Sequence, residues 1–288
     1  MENILTGSNI SKSYGKAKVL DGVTINVPKG SIYGLIGKNG AGKTTLMRII
    51  SGLQEPDDGH VEYGKCKIGA LINTPALFDH LTAYENLKTQ YITVGLTSYD
   101  SIPELLKLVG LDNTGKKPVR KFSFGMKQRL GVAIAMTGNP DIVLLDEPIN
   151  GLDPQGIVEM REMFLNLNKK KGTTFIISSH ILDELSKVAT KYAFIDSGKI
   201  VKEVSSDEIV SGASIEYRAT LSDVSKVIRK LDENDILYAV LDEKNIRIKG
   251  DVSLKKMNEI VEACGCELLE YSREDTSLEG YYINLVEG

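Results

Sequence analysis

Nine consecutive residues, GKNGAGKTT from Gly37 to Thr45, place three glycines, a basic side chain and two hydroxyls at a spacing suited to holding a chain of phosphates. Gly37, Gly40 and Gly42 let the backbone turn with its N–H groups facing inward, a concave anion site at the positive end of the helix that follows. Lys43 would reach the outer phosphates, and the Thr44 hydroxyl would ligate Mg²⁺. The candidate nucleotide-binding loop is therefore Gly37, Lys38, Asn39, Gly40, Ala41, Gly42, Lys43, Thr44 and Thr45. The alternative is a glycine-rich turn with no ligand.

Two further runs end in residues that can do chemistry. Ile142-Val143-Leu144-Leu145 leads into Asp146-Glu147-Pro148, and Thr174-Phe175-Ile176-Ile177-Ser178-Ser179 leads into His180. Asp146 can hold Mg²⁺ directly or through water, and Glu147 is placed to orient or deprotonate a water attacking the γ-phosphate. His180 follows the same kind of strand end, so one sheet edge could carry both, with the imidazole on the γ-phosphate or on the water. Taken alone, the acidic pair reads equally as a solvent-exposed turn and the histidine as a structural residue.

These groups need elements to position them. Ile32 to Ile36 is an apolar run that predicts a buried strand, and Leu46, Met47, Ile49 and Ile50 recur at helical spacing. Strand, glycine loop and helix thus come in the order a phosphate cradle requires. Continuous β-branched and leucine character in the other two runs suits central parallel strands buried on both faces, whose C-terminal ends are where open α/β sheets bind ligands.

A fourth stretch, FSFGMKQRL from Phe122 to Leu130, holds no catalytic set, but it opens a helix running through Leu130, Val132, Ala133 and Met136. With Ser123 beside Gly125, that helix tip offers N–H and O–H donors to an anion. GKNGAGKTT, FSFGMKQRL, IVLLDEP, NGLDP and SSH, in that order, resemble the nucleotide-binding subunit of an ABC transporter over roughly residues 2 to 210. The bacitracin-resistance and lantibiotic-immunity exporters are the more similar branch, through the flanks I-G-A-L-I and T-A-Y-E-N-L.

The resemblance implies a set of roles. ATP and Mg²⁺ are the expected cofactors, and ATP hydrolysis coupled to transport the expected activity. Ser123 and Gly125 would close the ATP site of a second subunit in a head-to-tail dimer, and Asp153 would link the two sites, although it also reads as a helix cap before Pro154. Tyr14 matches the aromatic that stacks on adenine, with core packing as its competitor. Asn73 stands where relatives carry a glutamine that touches Mg²⁺, and is a candidate third metal ligand. Phe124 and Met126 depart from the usual LSGGQ form, and the Phe124 ring is expected to point away from nucleotide. Phe78, Leu81, Tyr84 and Leu87 could form an apolar surface for a membrane subunit or, equally, a plain helix core.

The expected fold is α/β: an ABC-type P-loop core with a mostly parallel sheet, an antiparallel β subdomain and a helical subdomain at about 75–138, within a nucleotide-binding domain of residues 1–212. Residues 213–288 predict a small α+β domain. Its strands (215–220, 236–241, 246–249, 266–271) and helices (223–231, 254–263) alternate as a ferredoxin-like β-α-β-β-α-β sandwich, with a final helix from about Ser277.

Composition narrows the partners. The net charge of -4 argues against non-specific nucleic-acid binding, and the 42% hydrophobic and 26% charged fractions are those of a globular chain. Cys66, Cys264 and Cys266 form no C-x-x-C pair, which fits a reducing compartment. MENILTGSNI lacks a secretory pattern, and no apolar run reaches the ~20 residues of a membrane helix. The expected placement is cytoplasmic, peripheral at the inner face of the cell membrane, through a transmembrane permease subunit. The expected assembly is a homodimer or a pair with a related ATPase subunit. The rival reading is a non-transport ABC ATPase acting on nucleic acid or ribosomes, though such relatives typically carry two cassettes, coiled-coil insertions or zinc modules that this sequence lacks.

Overall fold

The computed structural model describes residues 2–212, 216–274 and 278. It divides into two compact units, Met1–Ser206 and Asp207–Gly288. The expected final helix from Ser277 begins outside the described residues.

In the first unit the three apolar runs become β3 (Ile32–Ile36), β6 (Ile142–Asp146) and β7 (Thr174–Ser179), each buried along its whole length. Strands covered on both faces have no use for alternating polar residues, which explains their unbroken apolar character. With β5 (Ile68–Leu71), β8 (Lys191–Asp196) and β9 (Lys199–Ser205) they form one six-stranded sheet in the order β5-β6-β7-β3-β8-β9. All neighbours are parallel except the β8–β9 pair. Because β7 lies between β6 and β3, the register sets Asp146 opposite Ser178 and Ile36 opposite Ser179. Three chemistry-bearing strand ends therefore share one edge.

A second, antiparallel sheet in the order β2-β1-β4 comprises β1 (Asn3–Tyr14), β2 (Ala17–Pro28) and β4 (Asp58–Glu62). Helix α1 (Lys43–Ile50) joins it to the large sheet: Leu46, Met47, Ile49 and Ile50 share one core with Ile10, Leu20, Ile25, Leu35 and Leu144. One polar clasp crosses this packing. The Tyr33 hydroxyl donates to Glu203, whose carboxylate also accepts from the Asn26 backbone and side-chain amides at 3.0 and 3.1 Å. Burial, then the neighbouring Glu203 charge, pushes the Tyr33 phenol well above its ordinary value.

The helical part holds α2 (Ala83–Thr93), α3 (Ile102–Leu108) and α4 (Phe124–Ala135). A capping box of Thr82 and Glu85 starts α2. Of the four residues expected on an apolar surface, Phe78 and Tyr84 are about half and two-fifths exposed, but Leu87 is fully buried. Leu87 belongs to the helix core, because it lies on the face that packs inward with Ala83 and Tyr91. Helix α5 (Pro154–Lys171) begins at Asp153 and ends with Lys169, Lys170 and Lys171 before Gly172, a basic last turn that complements the helix dipole. Short helix α6 (Leu182–Ser186) follows, and α7 (Ser206–Gly212) begins at the last residue of this unit and continues into the second.

The second unit runs β10 (Glu216–Leu221), α8 (Val224–Glu233), β11 (Leu237–Val240), β12 (Asn245–Lys249), α9 (Leu254–Ala263) and β13 (Leu268–Glu274). Its strands make one antiparallel sheet in the order β11-β12-β10-β13. Alternate residues such as Ala219, Leu221, Ile246 and Ile248 pack with Val227, Leu231, Met257 and Val261 of the helices into a separate core. Its last strand starts at Leu268, two residues later than the apolar pattern placed it, because Cys266 is taken up in the turn that closes α9.

Candidate functional site

The glycine loop is forced by its surroundings. A Cβ on Gly37 would stand 2.3 Å from the Ile195 carbonyl oxygen, and one on Gly42 would meet a Leu20 methyl at 2.7 Å. Gly42 also has a φ of 106°, open to glycine and strained for any other residue. The loop delivers Lys43 into an interior position, 5% exposed, at the first residue of α1. Its ammonium donates to the carbonyls of Gly37 (2.6 Å) and Lys38 (3.3 Å) and lies 3.2 Å from Glu147 Oε1.

The carboxylates at the end of β6 are fixed by β7. Ser178 Oγ donates to Asp146 Oδ1 at 2.6 Å and accepts from the Glu147 N–H at 2.9 Å. The other Asp146 oxygen accepts from the Thr44 hydroxyl at 2.8 Å. Glu147 has a φ of 49°, a left-handed conformation that a non-glycine residue keeps only when neighbours hold it. Here the Ser178 bond holds its N–H, and the Asn150 N–H donates to its carbonyl at 3.2 Å. The twist aims the Glu147 side chain back over the loop, where Oε2 sits 2.8 Å from His180 Nδ1 and Oε1 faces Lys43. Lys43, Thr44, Asp146, Glu147 and His180 are thus one cluster, as expected of residues that share a sheet edge. Ser178 is the member that sequence reasoning did not single out. A small hydroxyl residue beside the histidine at a strand end was the available signal.

Around this cluster Val19, Lys38, Asn39, Gly40, Gly42, Lys43, Thr44, Thr45 and Glu147 border a pocket of about 210 Å³. Sites for whole drug-sized molecules run to about 300–1,000 Å³, so this pocket is smaller than such a site. Gly37 and Ala41 shape the loop from behind: Ala41 is 5% exposed and its carbonyl accepts from Gly198 N–H at 3.1 Å. Tyr14 does not border the pocket. It is about half exposed at the end of the β1–β2 hairpin, with its hydroxyl donating to Gln54 at 2.7 Å. Asn73 is exposed past β5 with a φ of 65°, and the Thr44–Asp146 contact does not include it.

The signature stretch builds a different pocket. Helix α4 starts at Phe124, one residue before the expected Gly125, because Ser123 caps it by accepting from Met126 N–H at 3.3 Å. Asp153 caps α5 in the same way, accepting from Gly156 N–H at 2.9 Å. Both tips border one pocket of about 360 Å³ that includes Ser123, Gly125, Gly151 and Asp153 and shares no residue with the phosphate-loop pocket. The Phe124 ring lies over Gly151, at the rim of that pocket.

The model of the ABC transporter family matches residues 20–150. The bacitracin transport ATP-binding protein BcrA of Bacillus licheniformis is 36% identical over 302 residues, taking in 100% of this chain and 99% of that protein. The chain belongs to the ABC transporter ATP-binding proteins. The lantibiotic transport ATP-binding protein SrtF of Streptococcus pyogenes is 46% identical over 203 residues, 68% of this chain and 88% of SrtF. A crystal structure of an ABC transporter's ATP-binding cassette in its ADP conformation is 26% identical with a TM-score of 0.65, covering 74% of this chain and 96% of the cassette. As an ABC protein the chain is an ATPase, the ATP-binding subunit of a transporter. Among its described residues no helix is long and apolar enough to cross a membrane.

Proposed function

We propose that this ABC ATPase binds two Mg-ATP between two copies of itself, or between itself and a related subunit, and so drives a separate membrane permease. The permease would keep it at the inner face of the cell membrane. BcrA and SrtF are named for bacitracin and lantibiotic transport, so the proposed cargo is an exported antibiotic, peptide or lipid-like molecule. The observation that carries the reading is the separation of donors: the phosphate-loop pocket and the Ser123–Asp153 pocket share no residue.

The contacts support the phosphate-end and carboxylate roles, and the resemblance alone supports that of Tyr14. Lys43 and the loop N–H groups hold the β- and γ-phosphates, and Tyr14 offers an aromatic face to adenine. Thr44 and Asp146 are hard oxygen donors already in contact at 2.8 Å, the type of set that holds Mg²⁺. When bound, the ion supplies charge neutralisation on the transferred phosphoryl group. An incoming phosphate competes with Glu147 for the Lys43 ammonium, freeing that carboxylate to accept a proton from water. His180, donating from Nδ1, keeps Glu147 oriented while it does so. Ser123 and Gly125 of the second copy complete the γ-phosphate shell, with Asp153 beside them. Hydrolysis then weakens the bridge, because the cleaved phosphate no longer ties both donor sets together.

The test is Glu147→Gln. Loss of a general base is expected to lower turnover by about 10²–10⁴-fold while ATP still binds. Hydrolysis at the unsubstituted rate would rule out Glu147 as the base.

A further inference from the structure

The Ser123 and Asp153 tips are two helix N-termini bordering one pocket. The two ends are capped differently, α4 by the neutral Ser123 hydroxyl and α5 by the Asp153 carboxylate, which answers the positive end of its helix dipole. Two levels of contact hold them side by side. At the tips, Leu152 packs over Gly125 and the Phe124 ring over Gly151. Deeper, Arg129 Nη1 donates to Glu159 Oε2 at 2.7 Å, and Gln155 Nε2 reaches the other Glu159 oxygen at 3.3 Å. The positions correspond: Arg129 lies six residues past the Ser123 cap of α4, and Glu159 six past the Asp153 cap of α5. At 1.5 Å per residue both stand about 9 Å below their tips. Two contacts at different heights fix both the spacing and the angle of a helix pair.

We infer that Arg129, paired with Glu159, is a positioning residue for ATP hydrolysis: it fixes the signature tip of Ser123 and Gly125, which receives the anion, against the Asp153 end of α5. Arg129 and Glu159 border the same pocket below the tips, and the role argued for Arg129 is exerted through Ser123 and Gly125. The pair is partly shielded, with side chains 20% and 40% exposed, and the Arg129 Nε is buried without a hydrogen-bond partner. The inference rests on the two-copy reading above, since the tip it fixes serves a second chain's nucleotide.

The experiment is steady-state ATP hydrolysis by the full chain with its partner subunits, alongside ADP binding to the chain's own loop. Arg129→Ala and Glu159→Ala are each expected to raise KM for ATP about tenfold with kcat changed less than about threefold, the scale of one coupled contact. ADP affinity should stay within about twofold. The double variant should be no worse than either single one, and Arg129→Lys, which keeps the charge, should recover most of the loss. An unchanged KM, additive losses in the double variant, or a parallel loss of ADP binding would overturn the inference. Ser123→Ala separates the two claims. If it raises KM while Arg129→Ala does not, only the positioning role fails; if neither does, the two-copy reading fails as well.

Discussion

The two pockets of this ABC ATPase are held together in different ways. At the phosphate loop the reactive groups already have partners in the same chain: Lys43 with two carbonyls and Glu147, Asp146 with Thr44 and Ser178, Glu147 with His180. At the signature pocket two helix tips stand together, one capped by the Ser123 hydroxyl and one by the Asp153 carboxylate, held by apolar contacts and the Arg129–Glu159 pair. A self-satisfied pocket binds phosphate by exchanging partners, whereas the tip capped only by the neutral Ser123 hydroxyl can still add an anion to its N–H groups.

Substitutions in each region probe this contrast, and the largest effect should fall on the closed pocket. Lys43→Ala removes the phosphate partner and strands Glu147, so turnover should fall by about 10²–10³-fold with ATP affinity falling too, measured by calorimetry and phosphate release. Ser178→Ala is intermediate. It takes a hydrogen bond from both Asp146 and the left-handed Glu147, and should cost about 1–3 kcal/mol of stability and roughly tenfold in turnover, read by thermal unfolding and kinetics. The smallest effect belongs to the scaffold under both pockets. Tyr33→Phe should lower stability by about 1 kcal/mol and leave KM for ATP unchanged.

Tyr33 also gives a pH signature. Burial and Glu203 raise its folded-state value, so the folded chain holds the phenolic proton more tightly than the unfolded one. The stabilisation is complete below the unfolded value of about 10 and is lost as pH rises through the folded value. Denaturant unfolding between pH 8 and about pH 11 should show a steeper decline for the unsubstituted chain than for Tyr33→Phe.

What could be read from the sequence was local. The strands at Ile32, Ile142 and Thr174 follow from continuous apolar runs, and the loop at Gly37 from glycine spacing, neither of which depends on distant partners. The cluster of Lys43, Asp146, Glu147 and His180 was legible because three strand ends of one parallel sheet must share an edge. Ser178 was not, since its double contact exists only through the β6–β7 register. The strain at Glu147 depends on that same hydrogen bond. Surface and helix core stayed open for Leu87 because helical spacing marks an apolar face without saying what covers it. Arg129 and Glu159 stand 30 residues apart, in helices whose pairing no local pattern encodes.

The proposed function stands or falls on ATP joining two copies of the chain through different pockets. Light scattering on Glu147→Gln, with ATP, with ADP and with neither, addresses it directly, together with the same chain carrying Gly125→Glu. A doubled mass is expected with ATP alone, lost when a carboxylate is placed at the signature tip although the loop still binds nucleotide. A single-chain mass under every condition, or a doubled mass indifferent to Gly125→Glu, would contradict it.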